Sequence, residues 1–137
     1  MTPILQDIKA KLAADQFAKH AGIELVAISP GQASARMKLQ PFHLNGLGSV
    51  QGGAIFTLAD FTFAAAANSH GIVSVAVNVS ITFMKAVVSG TLTAEAREVA
   101  LNPKLGTYTV NVSDEHGHLV AVFQGLAYRK SEPRLKP

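Results

Sequence analysis

From Gln51 to Asn68 the chain offers a helix-forming stretch whose only formal charge is Asp60. The helix is expected to begin near Gln51 and to end near Asn68 or Gly71. Phe56, Leu58, Phe61 and Phe63 put apolar groups around most of it, so burial rather than a wet surface is expected. Ala64–Ala67 keep it slim, which suits a sheet wrapped tightly around it. No lysine or arginine stands at helical spacing from Asp60. A carboxylate in apolar company without a partner costs several kcal/mol, so its presence calls for a reason.

The flanking segments supply that sheet. Residues 3–20 read as one helix, with Pro3 in its first turn, Ile4, Leu5, Ile8, Leu12 and Phe17 at roughly helical spacing, and Gly22 as its stop. Ile23–Ala27 and Ala33–Leu39 alternate around the Pro30-Gly31 turn. After the central helix, Val73, Val75, Val77, Val79, Ile81 and Phe83 are expected on one face of a strand, with Ser74 to Thr82 alternating on the other. The phase shifts within the next strand, which predicts a bulge near Arg97–Glu98. Tyr108–Val112 and Leu119–Tyr128 complete the set, with a hairpin loop at Asp114–Gly117 and a frayed tail from Arg129. One antiparallel sheet with one long helix packed on it, an α+β fold, satisfies this order as a single domain over residues 1–137.

Only 15% of the residues are charged and 48% are hydrophobic, so disorder is excluded and a surface partly covered by another subunit is expected. With no cysteine there is neither a disulfide framework nor a thiolate zinc site. The first residues lack a signal-peptide pattern and the apolar run 54–67 is too short to span a membrane, so a soluble cytoplasmic protein without a membrane partner is expected. Twelve basic residues are spread along the chain, apart from a small group at Arg129, Lys130, Arg134 and Lys136, which argues against a nucleic-acid partner.

The chemistry concentrates in residues 43–60. Gly52 and Gly53 leave the backbone donors of a helix start unshielded, where an anion or a developing oxyanion can be held. Asp60 supplies a base or nucleophile. The two lie eight residues apart, roughly 12 Å along a helix axis, so they cannot serve one carbonyl from one helix. If both are catalytic, two antiparallel copies of the helix must meet across a two-fold axis. Each feature also has a plain structural role open to it: a satisfied aspartate, a close helix–sheet contact at the glycines, a turn-forming Asn45, a strand Asn78 bonding its neighbour.

As a set, His43, Asn45, Gly48, Gln51, Gly52, Gly53, Phe56, Leu58, Ala59 and Asp60 resemble the loop-helix motif of hot-dog-fold acyl-CoA thioesterases, in particular the phenylacetate-degradation (PaaI-type) branch. Asn78–Lys85 resembles that family's strand ending in a basic residue near the coenzyme A site. The resemblance implies hydrolysis of an acyl-CoA thioester, aromatic or medium-chain, with no cofactor beyond the coenzyme A of the substrate and no metal. It implies Asp60 as catalytic carboxylate, Gly52 N–H as carbonyl donor from the opposite subunit, and Asn45 and Asn78 as groups positioning thioester or water. Gln51, Gly53, His43 and Lys85 are the substrate-binding candidates. A homodimer, paired into a homotetramer, is implied as well. Gln51 stands where relatives commonly carry histidine, and glutamine hydrogen-bonds but does not titrate. The alternative is a non-catalytic acyl-CoA binding or sensor module, which would have no need of Asp60 together with Asn45.

Overall fold

The structure, a computed structural model, describes residues 2–134, with residues 131–134 described by backbone alone; Lys136 and the side chain of Arg134 lie outside what it describes. In order it forms α1 (Pro3–Ala13), α2 (Gln16–Ala21), β1 (Ile23–Ser29), β2 (Gln32–Lys38), a 3-10 turn (Pro41–His43), α3 (Gly52–Asn68), β3 (Ile72–Phe83), β4 (Thr91–Leu101), β5 (Leu105–Ser113) and β6 (Leu119–Arg134). The strands make one antiparallel sheet in the order β1-β2-β4-β5-β6-β3.

The helix expected over residues 3–20 is two helices. Asp15 is the reason: its side chain accepts the Ala18 N–H at 3.0 Å and caps a new start. Gly22 ends α2 in the left-handed conformation, as expected.

Helix α3 lies across one face of the sheet. Phe63 packs edge-on against Tyr108 and tilted against Phe123, with ring centroids 5.6 and 5.5 Å apart. Gly125 makes this approach possible, since a Cβ there would stand 2.7 Å from the Phe63 ring. Ala35, Met37, Leu92, Ala94, Val110, Val112 and Phe123 complete a buried layer under the helix.

Strand β3 departs from its even alternation. Ala76 pairs with Ala127 and Val79 with Gly125, but Asn78 pairs with Leu126, so the register slips at Val77. The slip divides the face expected to carry Val73 through Phe83. Val79, Ile81 and Phe83 share the helix side with Gly125, Phe123 and Ala121, while Val75 lies opposite, beside Tyr128. The bulge expected near Arg97–Glu98 is present slightly later, between Glu98 and Ala100. The tail expected to fray from Arg129 continues as strand, because the start of β3 needs a partner and Ile72 finds it at Arg134.

Candidate active site

The start of α3 is stripped of all but one donor. Gln51 caps it, its Oε1 accepting the Gly53 N–H at 2.8 Å. Ala54 and Ile55 donate to the Gln51 carbonyl at 2.9 and 3.3 Å. Gly52 N–H keeps no hydrogen-bond partner among the described residues and sits at the positive end of the helix dipole. The Phe83 ring closes one side of it: a Cβ on Gly52 would meet Phe83 Cζ at 3.2 Å.

Asp60 lies two turns further along, half-buried, and its carboxylate accepts no hydrogen bond from the described residues. Burial, with the Asp15 carboxylate nearby, raises its carboxyl above the ordinary value. The long loop between β2 and α3 is held by Asn45. Its Oδ1 accepts Leu47 N–H at 2.8 Å and Ser49 N–H at 3.2 Å, and its Nδ2 donates to Ser49 Oγ at 3.2 Å. One amide hydrogen remains for a ligand.

Of the expected site residues, His43 and Lys85 are engaged elsewhere and Asn78 faces away. His43 is 4% exposed, with Nδ1 accepting Gln40 N–H at 2.9 Å and Nε2 bonded to Ala21 carbonyl at 2.7 Å. Neither nitrogen is left for substrate; His43 ties the β2–α3 loop to the end of α2. Lys85 pairs with Asp114 and stands 3.1 Å from His118 Nδ1. That ammonium, with the His116 and His118 amides, holds the Asp114 carboxyl well below the carboxylate range. Asn78 shares its side of the sheet with Leu126, away from α3 and opposite Val79, as its place on the polar face of the strand requires. It does not reach Asp60 within one chain.

Asp15 and Phe83 were not among the expected site residues. A capping signal marks Asp15 locally, but its closeness to Asp60 depends on α2 folding back beside α3. Among the described residues no cluster of three or more His, Asp or Glu is arranged to hold a metal.

The thioesterase superfamily model matches residues 47–121, more than half of the chain. The acyl-coenzyme A thioesterase PaaI of Escherichia coli is 34% identical over 90% of this chain and 89% of its own. The solved structure of PaaI from the phenylacetic acid degradation operon of that organism superposes with a TM-score of 0.90 over 94% of both chains, at 32% identity. A mutant of the phenylacetic acid degradation protein PaaI of Thermus thermophilus, 32% identical, superposes with a TM-score of 0.81 over 85% of this chain and all of that one (100%). A long capped helix inside an antiparallel sheet, the motif from His43 to Asp60 and these likenesses lead to one conclusion: the chain belongs to the thioesterase superfamily, as a hot-dog-fold thioester hydrolase of the PaaI type.

Proposed function

We propose that the chain hydrolyses an acyl-CoA thioester, carrying an aromatic or medium-chain acyl group, to the free acid and coenzyme A at a site shared by two copies. The observation that carries this reading is the pairing, on one helix, of a Gly52 N–H and an Asp60 carboxylate that both have no hydrogen-bond partner among the described residues. Roughly 12 Å of helix separates them, whereas a base and an oxyanion donor must both stand within about 3 Å of one carbonyl. A second copy removes the conflict. Strand β3 is a sheet edge, and Val77 on it is 56% exposed. Pairing β3 with its copy about a two-fold axis sets the two α3 helices side by side and antiparallel. Asp60 of each copy then faces Gly52 of the other.

In that site water adds to the thioester carbonyl carbon while Asp60 takes one of its protons. Gly52 N–H of the second copy meets the negative charge that forms on the carbonyl oxygen. Collapse breaks the C–S bond, and the proton passes from Asp60 to the departing thiolate. As nucleophile instead, Asp60 would attack the carbonyl carbon and, with cleavage of the C–S bond, expel the coenzyme A thiolate; water would then open the acyl-aspartyl anhydride to the free acid and the regenerated carboxylate. Asn45, through its remaining amide hydrogen, and Gln51, through its side-chain amide hydrogens, orient the thioester, while Gly53, its N–H held by Gln51, contributes only the space that a missing side chain leaves. Lys85 reaches a coenzyme A phosphate only by giving up Asp114. Asn78 is left without a part within one chain.

The reading extends to a homodimer, pairing further into a homotetramer, to a cytoplasmic setting, and, by likeness to the PaaI proteins, to phenylacetate degradation. No helix among the described residues is long and apolar enough to cross a membrane. Coenzyme A release from phenylacetyl, hydroxybenzoyl and medium-chain thioesters tests the proposal. Turnover by the wild type, lost in Asp60→Asn with fold and ligand binding retained, is expected. Tight binding without turnover in the wild type would put the sensor reading in its place.

A further inference from the structure

Beside the first half of α3 runs a groove of about 500 Å³, within the range of small-molecule sites, about 300–1,000 Å³. Ala54 and Thr57 form its floor, Phe17 and His20 of α2 one wall, and Phe42 and Leu44 the other. Phe17 is 70% exposed and Phe42 is 63% exposed, large rings facing water across a concave surface.

Its polar lining is almost used up. The nitrogens of His43 serve Gln40 and Ala21, Gln51 Oε1 takes the Gly53 N–H, and Thr57 Oγ1 donates to the Gly53 carbonyl at 2.7 Å. Among the described residues no lysine or arginine lines it, so a pyrophosphate finds no counter-charge from them there. What remains is flat and aromatic: Phe42 stands between His20 and His43, with ring centroids 6.4 and 4.2 Å away and planes tilted by 42° and 40°. Rings meet other rings well in such tilted geometries. The groove ends at Thr57, less than one helical turn short of the reacting group. Asp60 follows Thr57 by three residues on the same side of α3.

We infer that Phe17 and Phe42 are specificity-determining residues, the walls of a subsite for a flat aromatic acyl group. The inference rests on the thioester-hydrolase site proposed above. Its chemical content is separate: the acyl ring lies along α2, and the nucleotide end of coenzyme A leaves by another path.

The test is kcat/KM for phenylacetyl-, octanoyl- and acetyl-CoA with the wild type, Phe17→Ala, Phe42→Ala and the double variant. The ratio of phenylacetyl to acetyl should fall about tenfold with each ring removed, mainly through KM. Ala54→Leu, which fills the floor, should lower the same ratio and keeps the test informative should an alanine variant not fold. An unchanged ratio, or a wild type that prefers octanoyl to phenylacetyl, overturns the inference. So does a change of particle mass in the double variant with the ratio intact, which would make the groove a contact between copies. Should the wild type hydrolyse none of the three, the hydrolytic reading fails by itself, and the groove is judged on phenylacetate alone. Saturation transfer from protein to the phenylacetate ring in the wild type, lost in the double variant, upholds it; no transfer in the wild type ends it.

Discussion

Strands β2 and β3 carry the same alternating pattern and meet opposite fates. In β2 the apolar positions Ala33, Ala35 and Met37 are buried, Met37 completely at 0% exposed, because β1 and β4 flank the strand and α3 covers it. In β3, with a more apolar sequence, Val77 stays 56% exposed and Phe83 half-exposed, because the strand is the last in the sheet. Alternation reports that a strand forms and that one of its faces is apolar. It does not report what covers that face. An interior strand is finished by its own chain, whereas an apolar edge of this length asks for another backbone.

If β3 is the unfinished side, the largest effect should come from dividing the site between two chains. Asp60→Asn removes the base, and turnover should drop by about 10²–10⁴-fold. Gly52→Pro removes the donor while keeping a residue that suits the first position of a helix, and should be nearly as damaging. Mixed after denaturation and refolded together, the two dead variants should recover about a quarter of wild-type turnover, since half the dimers are hybrid and each has one intact site. No recovery on mixing, with hybrids demonstrated by mass, would place both groups in a single-chain site and break the comparison.

Next in size is the contrast between the strands themselves. Met37→Ala should cost about 2–5 kcal/mol in denaturant unfolding, the usual result of emptying a filled core position. Val77→Lys should cost the isolated chain little, about 0.5 kcal/mol or less. It should nevertheless lower the mass seen by light scattering and remove turnover with it. A Val77→Lys protein that is monomeric and fully active would show the β3 edge to be irrelevant to the chemistry.

What could be read before folding was whatever chain neighbours decide. The α3 boundaries follow from Gln51, two glycines and a run of alanines, and the free Gly52 donor follows from helix geometry. Met37 and its alternating neighbours were placed correctly for the same reason. The misplacements are all long-range. His43 looked available because its acceptor, Ala21 carbonyl, lies 22 residues away. Lys85 looked free because Asp114 lies 29 residues away. Val75 was expected on the same face as Val79 because an unbroken alternation hides the slip at Val77, which exists only in pairing with β6. His70 is tied in the same long-range way: its Nε2 meets Glu98 Oε1, 28 residues on, at 2.8 Å, and the Tyr108 hydroxyl donates to the same oxygen at 2.8 Å. Burial works against the Glu98 charge, but those bonds hold its carboxyl below the ordinary value.

The smallest effect separates the two sides by pH. Burial, together with Asp15, raises the folded-state pKa of Asp60, so the native chain holds that proton more tightly than the unfolded chain does. Stability therefore falls as pH rises from the unfolded-state value through the raised folded value, and above that folded value the whole penalty is present. Asp60→Asn should melt higher than the wild type at pH 7, and the two should converge near pH 3. The cost of Met37→Ala, where nothing titrates, should be the same in kcal/mol at both. The raised value should also move the acid limb of kcat/KM above the range of an ordinary aspartate, since only the ionised carboxylate can accept a proton. An Asp60→Asn protein that melts lower than the wild type at pH 7 would mean that the carboxylate holds the fold together, and Asp60 would then belong with Met37 rather than with the unfinished edge.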